Sequence, residues 1–185
     1  LRDSIKKNAN RLKIISKERI QDELNKILLS DHPDDGIRML MKNGLMYYII
    51  PELYGLEGME QNKFHEWDAL EHTLRVLKNS APRLEIRLGA LFHDIGKVKA
   101  KTNKNGKIQF LGHEYHSSEL VKKALKDLKY DNHIIKKVSN IVLHHMRTKS
   151  YGQDANNVSD KALRKLMHQM GDDLEDLLDL VHSDN

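Results

Sequence analysis

Apolar side chains recur every three to four residues over most of the chain, the period of helices that bury one face. Ser16 stands where a side chain can accept from the free amides of a helix start, and Ile20, Leu24, Ile27 and Leu28 then follow on one stripe. Pro33 suits the first turn of a second helix, Ile37, Leu40 and Met41 continue its stripe, and Gly44 can close it in the left-handed conformation. The apolar run Leu45 to Ile50 stops at Pro51, and Gly55 and Gly58 mark a loop. Residues 1–58 therefore read as a small helical unit.

A second unit, 61–185, begins near Gln61. Asp68 can cap a helix with Leu70, Leu74 and Leu77 on one stripe and Ala69, His72 and Val76 on its neighbour. Pro82 falls in the first turn expected for the next helix, whose Leu84, Leu88, Leu91, Phe92 and Ile95 look buried and which delivers His93 and Asp94. Asn105-Gly106 is a two-residue turn signal, so Val98 to Phe110 is the one hairpin expected, an exposed lysine-rich ribbon. Gly112-His113 opens a helix carrying Leu120, Val121, Ala124, Leu125 and Leu128. Asp131 or Asn132 caps another, with Ile134, Val138, Ile141 and His145 on one face. Arg147 to Ser159 reads as a polar loop. Ser159 caps a further helix, Gly171 closes it, and Leu174, Leu177, Leu178 and Val181 lead to Asp184. The class is all-α with one small β-hairpin, and the chain has neither an internal repeat nor a low-complexity tract.

Composition narrows the class of protein. A chain of 185 residues, 31% charged and 39% hydrophobic, can bury the core of one domain or of one domain plus a helical appendage. No apolar run approaches the roughly 18 residues of a membrane span, and the start has no signal-peptide core, so a soluble, unexported, cytoplasmic protein with no membrane partner is expected. Zero cysteines exclude disulfides and thiolate ligands and leave His, Asp and Glu to hold any metal. The net charge of +4 favours phosphate-bearing partners without demanding them. The chain begins at Leu1 and stops at Asn185 just after an apolar helical pattern, so both ends read as cut from something longer.

The eleven histidines are unevenly placed. In Leu91 to Lys97, reading Leu-Phe-His-Asp-Ile-Gly-Lys, His93 and Asp94 bring an imidazole and a carboxylate into one small volume at the end of an apolar helix. His72 and His145 also lie on or beside apolar faces. Asp184, seven residues after Leu177, carries its carboxylate to a buried face, which is costly unless a partner neutralises it. Any one of these histidines alone reads as a core residue satisfied by a carbonyl. Together with two acids they point to a divalent metal.

The order His72, then His93-Asp94 in Phe-His-Asp-Ile-Gly-Lys, then Asp184 resembles the ligand series of the HD-domain metal-dependent phosphohydrolases. Gly-His-Glu at 112–114 and His-His at 144–145 resemble members of that superfamily that hold a second metal. More narrowly, Lys17-Glu18-Arg19-Ile20-Gln21-Asp22-Glu23-Leu24, Gly44-Leu45, Ile50-Pro51-Glu52-Leu53, and His65 with Asp68 and Glu71-His72-Thr73-Leu74 are similar to the C-terminal half of bacterial tRNA nucleotidyltransferases, the CCA-adding or poly(A) polymerase group. There a helical RNA-contacting body precedes an HD domain.

This resemblance implies an HD-domain helical bundle after a short helical body segment. It implies that His72, His93, Asp94 and Asp184 bind one divalent ion (nickel, manganese, cobalt, iron, zinc or magnesium), and that Asp94 bridges to a second held by His113 and His145. His144 competes with His145 for that role, and the count along the helical face favours His145. Such ions acidify water and polarise a phosphoryl oxygen. Asp94, Lys97 and His65 take the catalytic roles, Lys97 neutralising a substrate phosphate and His65 orienting substrate or shuttling a proton. Glu71 and Glu114 are candidates for hydrogen bonds behind the ligands, and His116 for the same pocket.

The implied activity is a phosphomonoesterase or 2′,3′-cyclic phosphodiesterase acting on a nucleotide or an RNA end, with tRNA reached through the parent protein and a homodimer compatible. The Gly-Ser motif and paired-aspartate strand of the nucleotidyltransferase head are absent from this sequence, so this stretch alone is not expected to add nucleotides. The other reading is a tRNA-holding module whose metal site is structural or vestigial. Lys6, Lys7, Arg11, Lys13, Lys17 and Arg19, with the lysine hairpin, suit RNA contact and equally suit a basic solvent face.

Overall fold

The helix starts are set by short polar side chains. In the computed structural model, which describes residues 2–61, 67–104, 106–153 and 158–184, α1 spans Arg2–Asn8 and a 3-10 segment follows over Ala9–Ile14. Ser16 Oγ then accepts from the Arg19 amide and opens α2, Lys17–Leu28, which buries Ile20, Leu24 and Leu28. Helix α3, Pro33–Lys42, has its proline in the first turn and ends at Gly44 with φ +73°. Two 3-10 turns, Met46–Tyr48 and Pro51–Leu56, carry the chain to α4, Ala69–Asn79. Asp68 fixes that start twice over, with Oδ1 accepting from Glu71 N at 2.7 Å and Oδ2 from Gly58 N at 2.8 Å.

Helix α5, Leu84–Phe92, is the axis of the molecule. Every residue from Ile86 to Phe92 is buried, because the helix is apolar nearly all round. It packs against α2 and α4 and against three later helices: α7 (His113–Asp127), α8 (Asn132–Gln153) and α10 (Leu174–Ser183). Gly89 permits a close approach to α8 and α10, since a Cβ there would lie 2.9 Å from Ile141 and 3.4 Å from Leu180. Between α8 and α10 lie α9, Asp160–Met170, capped by Ser159, and a 3-10 turn over Gly171–Asp173. One apolar cluster runs from Ile20 in α2 through Leu91 and Phe92 to Val181 in α10, so the early helices share a core with the later ones. No helix among the described residues is long and apolar enough to cross a membrane.

The all-helical class with one hairpin is as expected, and three local expectations need correction. Val98 to Phe110 is not hairpin throughout: Lys97–Ala100 forms a short helix, α6, and only Thr102–Lys104 (β1) and Lys107–Gln109 (β2) pair, with Asn103 opposite Ile108. The cause is Gly96, whose amide donates to Ser117 Oγ at 2.8 Å and pins the preceding turn against α7. Gly106 turns the hairpin with φ +76°, while Asn105 lies outside the described residues. Arg147 to Ser159 is not loop from its start, because α8 continues to Gln153. A long helix extends by one hydrogen bond per residue and overrides the weak local preference of polar side chains. Finally, Arg83 is extended, so α5 starts at Leu84 and Pro82 precedes it. The start of α8 resolves in favour of Asp131, whose Oδ1 accepts from Ile134 N at 2.9 Å.

Candidate metal centre

Four histidines and two aspartates from different parts of the chain meet beside the C-terminal end of α5. His72 comes from α4, His93 and Asp94 from the end of α5, His113 from the first residue of α7, His145 from α8 and Asp184 from just after α10. All but His72 are buried, and His93 is fully so. Gly112, at φ +75°, turns the chain so that α7 opens with His113 pointing inward.

The donor atoms fall into two groups, one of His72, His93 and Asp184 and one of Asp94, His113 and His145. In the first, His72 Nε2 lies 2.9 Å from Asp184 Oδ1 and 3.3 Å from His93 Nε2, and His93 Nε2 lies 3.7 Å from Asp184 Oδ1. In the second, His113 Nε2 lies 3.1 Å from Asp94 Oδ1 and 3.4 Å from His145 Nε2. Asp94 joins the groups: its other oxygen, Oδ2, is 3.3 Å from His93 Nε2 and 3.5 Å from His72 Nε2. Donors each about 2.1 Å from a shared ion lie roughly 3.0–3.4 Å apart in octahedral or tetrahedral geometry, so these separations suit a cation among them.

The backbone fixes which ring nitrogen faces inward. His93 Nδ1 donates to Ala90 O at 2.8 Å, His113 Nδ1 to Phe110 O at 2.9 Å and His145 Nδ1 to Val142 O at 2.6 Å. In each case a carbonyl three residues earlier takes the Nδ1 proton, which turns the Nε2 lone pair of the neutral ring toward the shared space. Nε2 atoms 3.3–3.4 Å apart need either a shared proton or a cation between them.

The local field divides the imidazoles. Burial, reinforced by the neighbouring His93, pushes His145 down to about 3, so it stays neutral and able to donate its lone pair. Burial also opposes charge on His93, but Asp94 and Asp184 outweigh it and raise its pKa. Burial likewise opposes the charge on Asp94, and His93, Lys97 and His113 more than compensate, holding the carboxyl well below its ordinary range. Asp94 is therefore a carboxylate at neutral pH. With no thiolate in the chain, the set is imidazole nitrogen and carboxylate oxygen, which suits first-row divalent ions.

The other expected residues divide. Lys97 is brought to the site, its ammonium 2.6 Å from Asp94 Oδ2 and 2.6 Å from Gln61 Oε1. His144 falls in neither donor group; its Nδ1 donates to Asn140 O at 3.0 Å. His65 lies outside the described residues. Glu71 turns away from the centre to a paired contact with Arg38 on α3, at 2.8 and 3.4 Å. Glu114 flanks His113 Nδ1 at 3.7 Å, and His116 is half-buried beside Tyr115, outside both groups. His32, His133, His168 and His182 are exposed. Sequence reading missed Gln61, which holds Lys97 from 36 residues away, and Ser117, which clamps Gly96. Neither carries a local signal, because their partners depend on tertiary packing alone.

Comparison with known proteins places the chain in a family. The profile described as "Probable RNA and SrmB- binding site of polymerase A" matches residues 1–56. The chain is 34% identical over 177 residues to the CC-adding tRNA nucleotidyltransferase of Thermus thermophilus, covering 91% of this chain and 39% of that protein. It is 31% identical over 183 residues to the A-adding tRNA nucleotidyltransferase of Deinococcus radiodurans, covering 95% and 41%. A Multifunctional CCA protein from an Azoarcus species is 34% identical over 117 residues, covering 60% and 28%. The chain thus spans about two fifths of the length of the first two relatives and corresponds to their C-terminal part. The HD domain profile matches residues 69–179, the stretch that supplies five of the six converging donors, and the chain belongs to the HD domain family.

Proposed function

We propose that this chain is a metal-dependent phosphohydrolase that cleaves a phosphomonoester or a 2′,3′-cyclic phosphate on a nucleotide or RNA end, and that it is part of a tRNA nucleotidyltransferase. One observation carries the chemical reading: Asp94 presents one oxygen to each of two donor groups, so a single buried carboxylate serves both. His72, His93 and Asp184 would hold one divalent ion and His113 and His145 the other, with Asp94 between them. Ions in such sites acidify water and polarise a phosphoryl oxygen.

The chain's own residues do the rest. The Nδ1 hydrogen bonds to Ala90, Phe110 and Val142 hold three of the rings in orientation. Lys97, held by Gln61 at the edge of the pair, offers positive charge to a phosphate oxygen. The match of residues 1–56 and the tRNA in the relatives' names support tRNA as the macromolecule that the longer protein handles.

The test is to purify the chain, measure bound metal by elemental analysis, and assay 2′,3′-cyclic AMP and p-nitrophenyl phosphate with added nickel or manganese. Ion-dependent turnover is expected, and His93→Ala should reduce it by more than the roughly 10- to 100-fold typical of losing an outer hydrogen-bond partner of a metal ligand. A metal-free protein, inactive with every ion, would overturn the proposal.

A further inference from the structure

The turn after α3 displays aromatic rings that the core does not use. Gly44 ends the helix, and in the short 3-10 turn behind it Met46 is fully buried, which leaves Tyr47 facing out at 62% exposure. Tyr48 stands edge-on to it, with centroids 5.3 Å apart and planes at 84°. Tyr54 donates its hydroxyl to Met41 O at 2.8 Å, so its ring is held as a wall with its polar tip already satisfied. These three rings line a shallow cavity of 490 Å³, ample for one nucleoside.

The charged side chains that line the cavity are both positive. Lys6 and Lys42 line the same cavity, the Lys13 ammonium sits 5.6 Å from the centre of the Tyr48 ring, and no carboxylate belongs to the lining. Rings flanked by ammonium groups present a face for a flat aromatic ligand and charge for the phosphates on either side of it, while Glu57, which acts on Tyr54 from outside the lining, leaves the cavity wall itself without a carboxylate. A duplex keeps its bases stacked inside and cannot offer that face, and an acidic peptide would use the lysines but not the rings.

We propose that Tyr47, Tyr48 and Tyr54, with Lys6, Lys13 and Lys42, form a stacking site for one unpaired nucleotide of single-stranded RNA. This deepens the reading that the chain handles RNA by naming the form of RNA and the residues that grip it. It is independent of the metal chemistry.

The experiment is fluorescence anisotropy of the whole chain with an end-labelled single-stranded oligoribonucleotide and with a duplex of equal length, each at several salt concentrations. The single strand should bind more tightly. Tyr47→Leu should weaken it about tenfold while Tyr47→Phe keeps wild-type affinity, since only the ring is required. Lys6→Gln with Lys42→Gln should flatten the slope of log K against log salt by about 1.4, for two phosphate contacts. Binding is measured with chelator present and no added metal, so failure here and failure of the hydrolase reading are read separately. Wild-type affinity in Tyr47→Leu, preference for the duplex, or competition by polyglutamate as effective as by the oligonucleotide would each overturn the proposal.

Discussion

Asp94 is the residue at which the two donor groups meet, and its substitution has the widest expected effect. Asp94→Asn keeps the shape but removes the charge that faces His93, His113 and Lys97, and it should lower bound metal at both groups together, as read by elemental analysis. Lys97 separates holding metal from using it. It contacts Asp94 but belongs to neither donor group, so Lys97→Gln should leave metal content near wild type and raise KM for the phosphate ester, by about tenfold or more for a lost charge-assisted contact. At this scale the sequence was informative wherever periodicity could decide. His145 shares a face with Val138 and Ile141, and the structure brings it to the cluster, whereas His144 is one step round the helix and bonds to Asn140. Glu71 shows the limit: adjacency in sequence to His72 says nothing of direction, and the neighbouring α3 claims it through Arg38.

At the scale of elements, three contacts fix the helices around the site. Gly96 lies so close to α7 that a Cβ would come within 2.2 Å of His113 O and 2.4 Å of Ser117 N. Gly96→Ala must force α6 and α7 apart, and should weaken metal retention as well as stability, whereas a substitution that harms packing elsewhere would lower stability alone. Arg87 ties α5 to the end of α2: its buried guanidinium donates to Leu28 O and, at 2.6 Å, to Ser30 O. Arg87→Ala leaves those carbonyls unmatched and should cost about 2–4 kcal/mol in urea unfolding. Helix α10 is anchored through buried Asp176, which accepts from Arg83 at 2.7 Å and Lys137 at 2.6 Å. The hydrogen bond to Asp176 raises the Lys137 pKa, so this contact stabilises the fold through neutral pH and is lost only as pH rises through that raised value. Helix starts were legible in the sequence because Ser16, Asp68 and Ser159 cap by local chemistry. Helix α6 was not, because it follows from the contact of Gly96 with a residue 21 positions away.

Over the whole molecule, donors between His72 and Asp184 converge only when α4, α5, α7, α8 and α10 are all in place. A bound divalent ion should therefore stabilise the entire fold: at a free concentration 100 times its Kd, one ion contributes about 2.7 kcal/mol, or roughly 5–10 °C in Tm for a chain of this size. Chelator should reverse the shift. The helical class and five of the six donors, His72, His93, Asp94, His145 and Asp184, were legible because polar residues on or beside apolar stripes stand out against their surroundings, whereas His113 was legible only through the family resemblance of Gly-His-Glu. The supports were not, because Gln61, Ser117 and Arg38 meet their partners only through the tertiary fold. The most direct test of the proposed chemistry is the steady-state rate of 2′,3′-cyclic AMP hydrolysis by the chain loaded with manganese or nickel, wild type beside Asp94→Asn. Ion-dependent turnover in the wild type that disappears in the variant is the predicted result; no turnover with any ion, or equal turnover in both proteins, would contradict it.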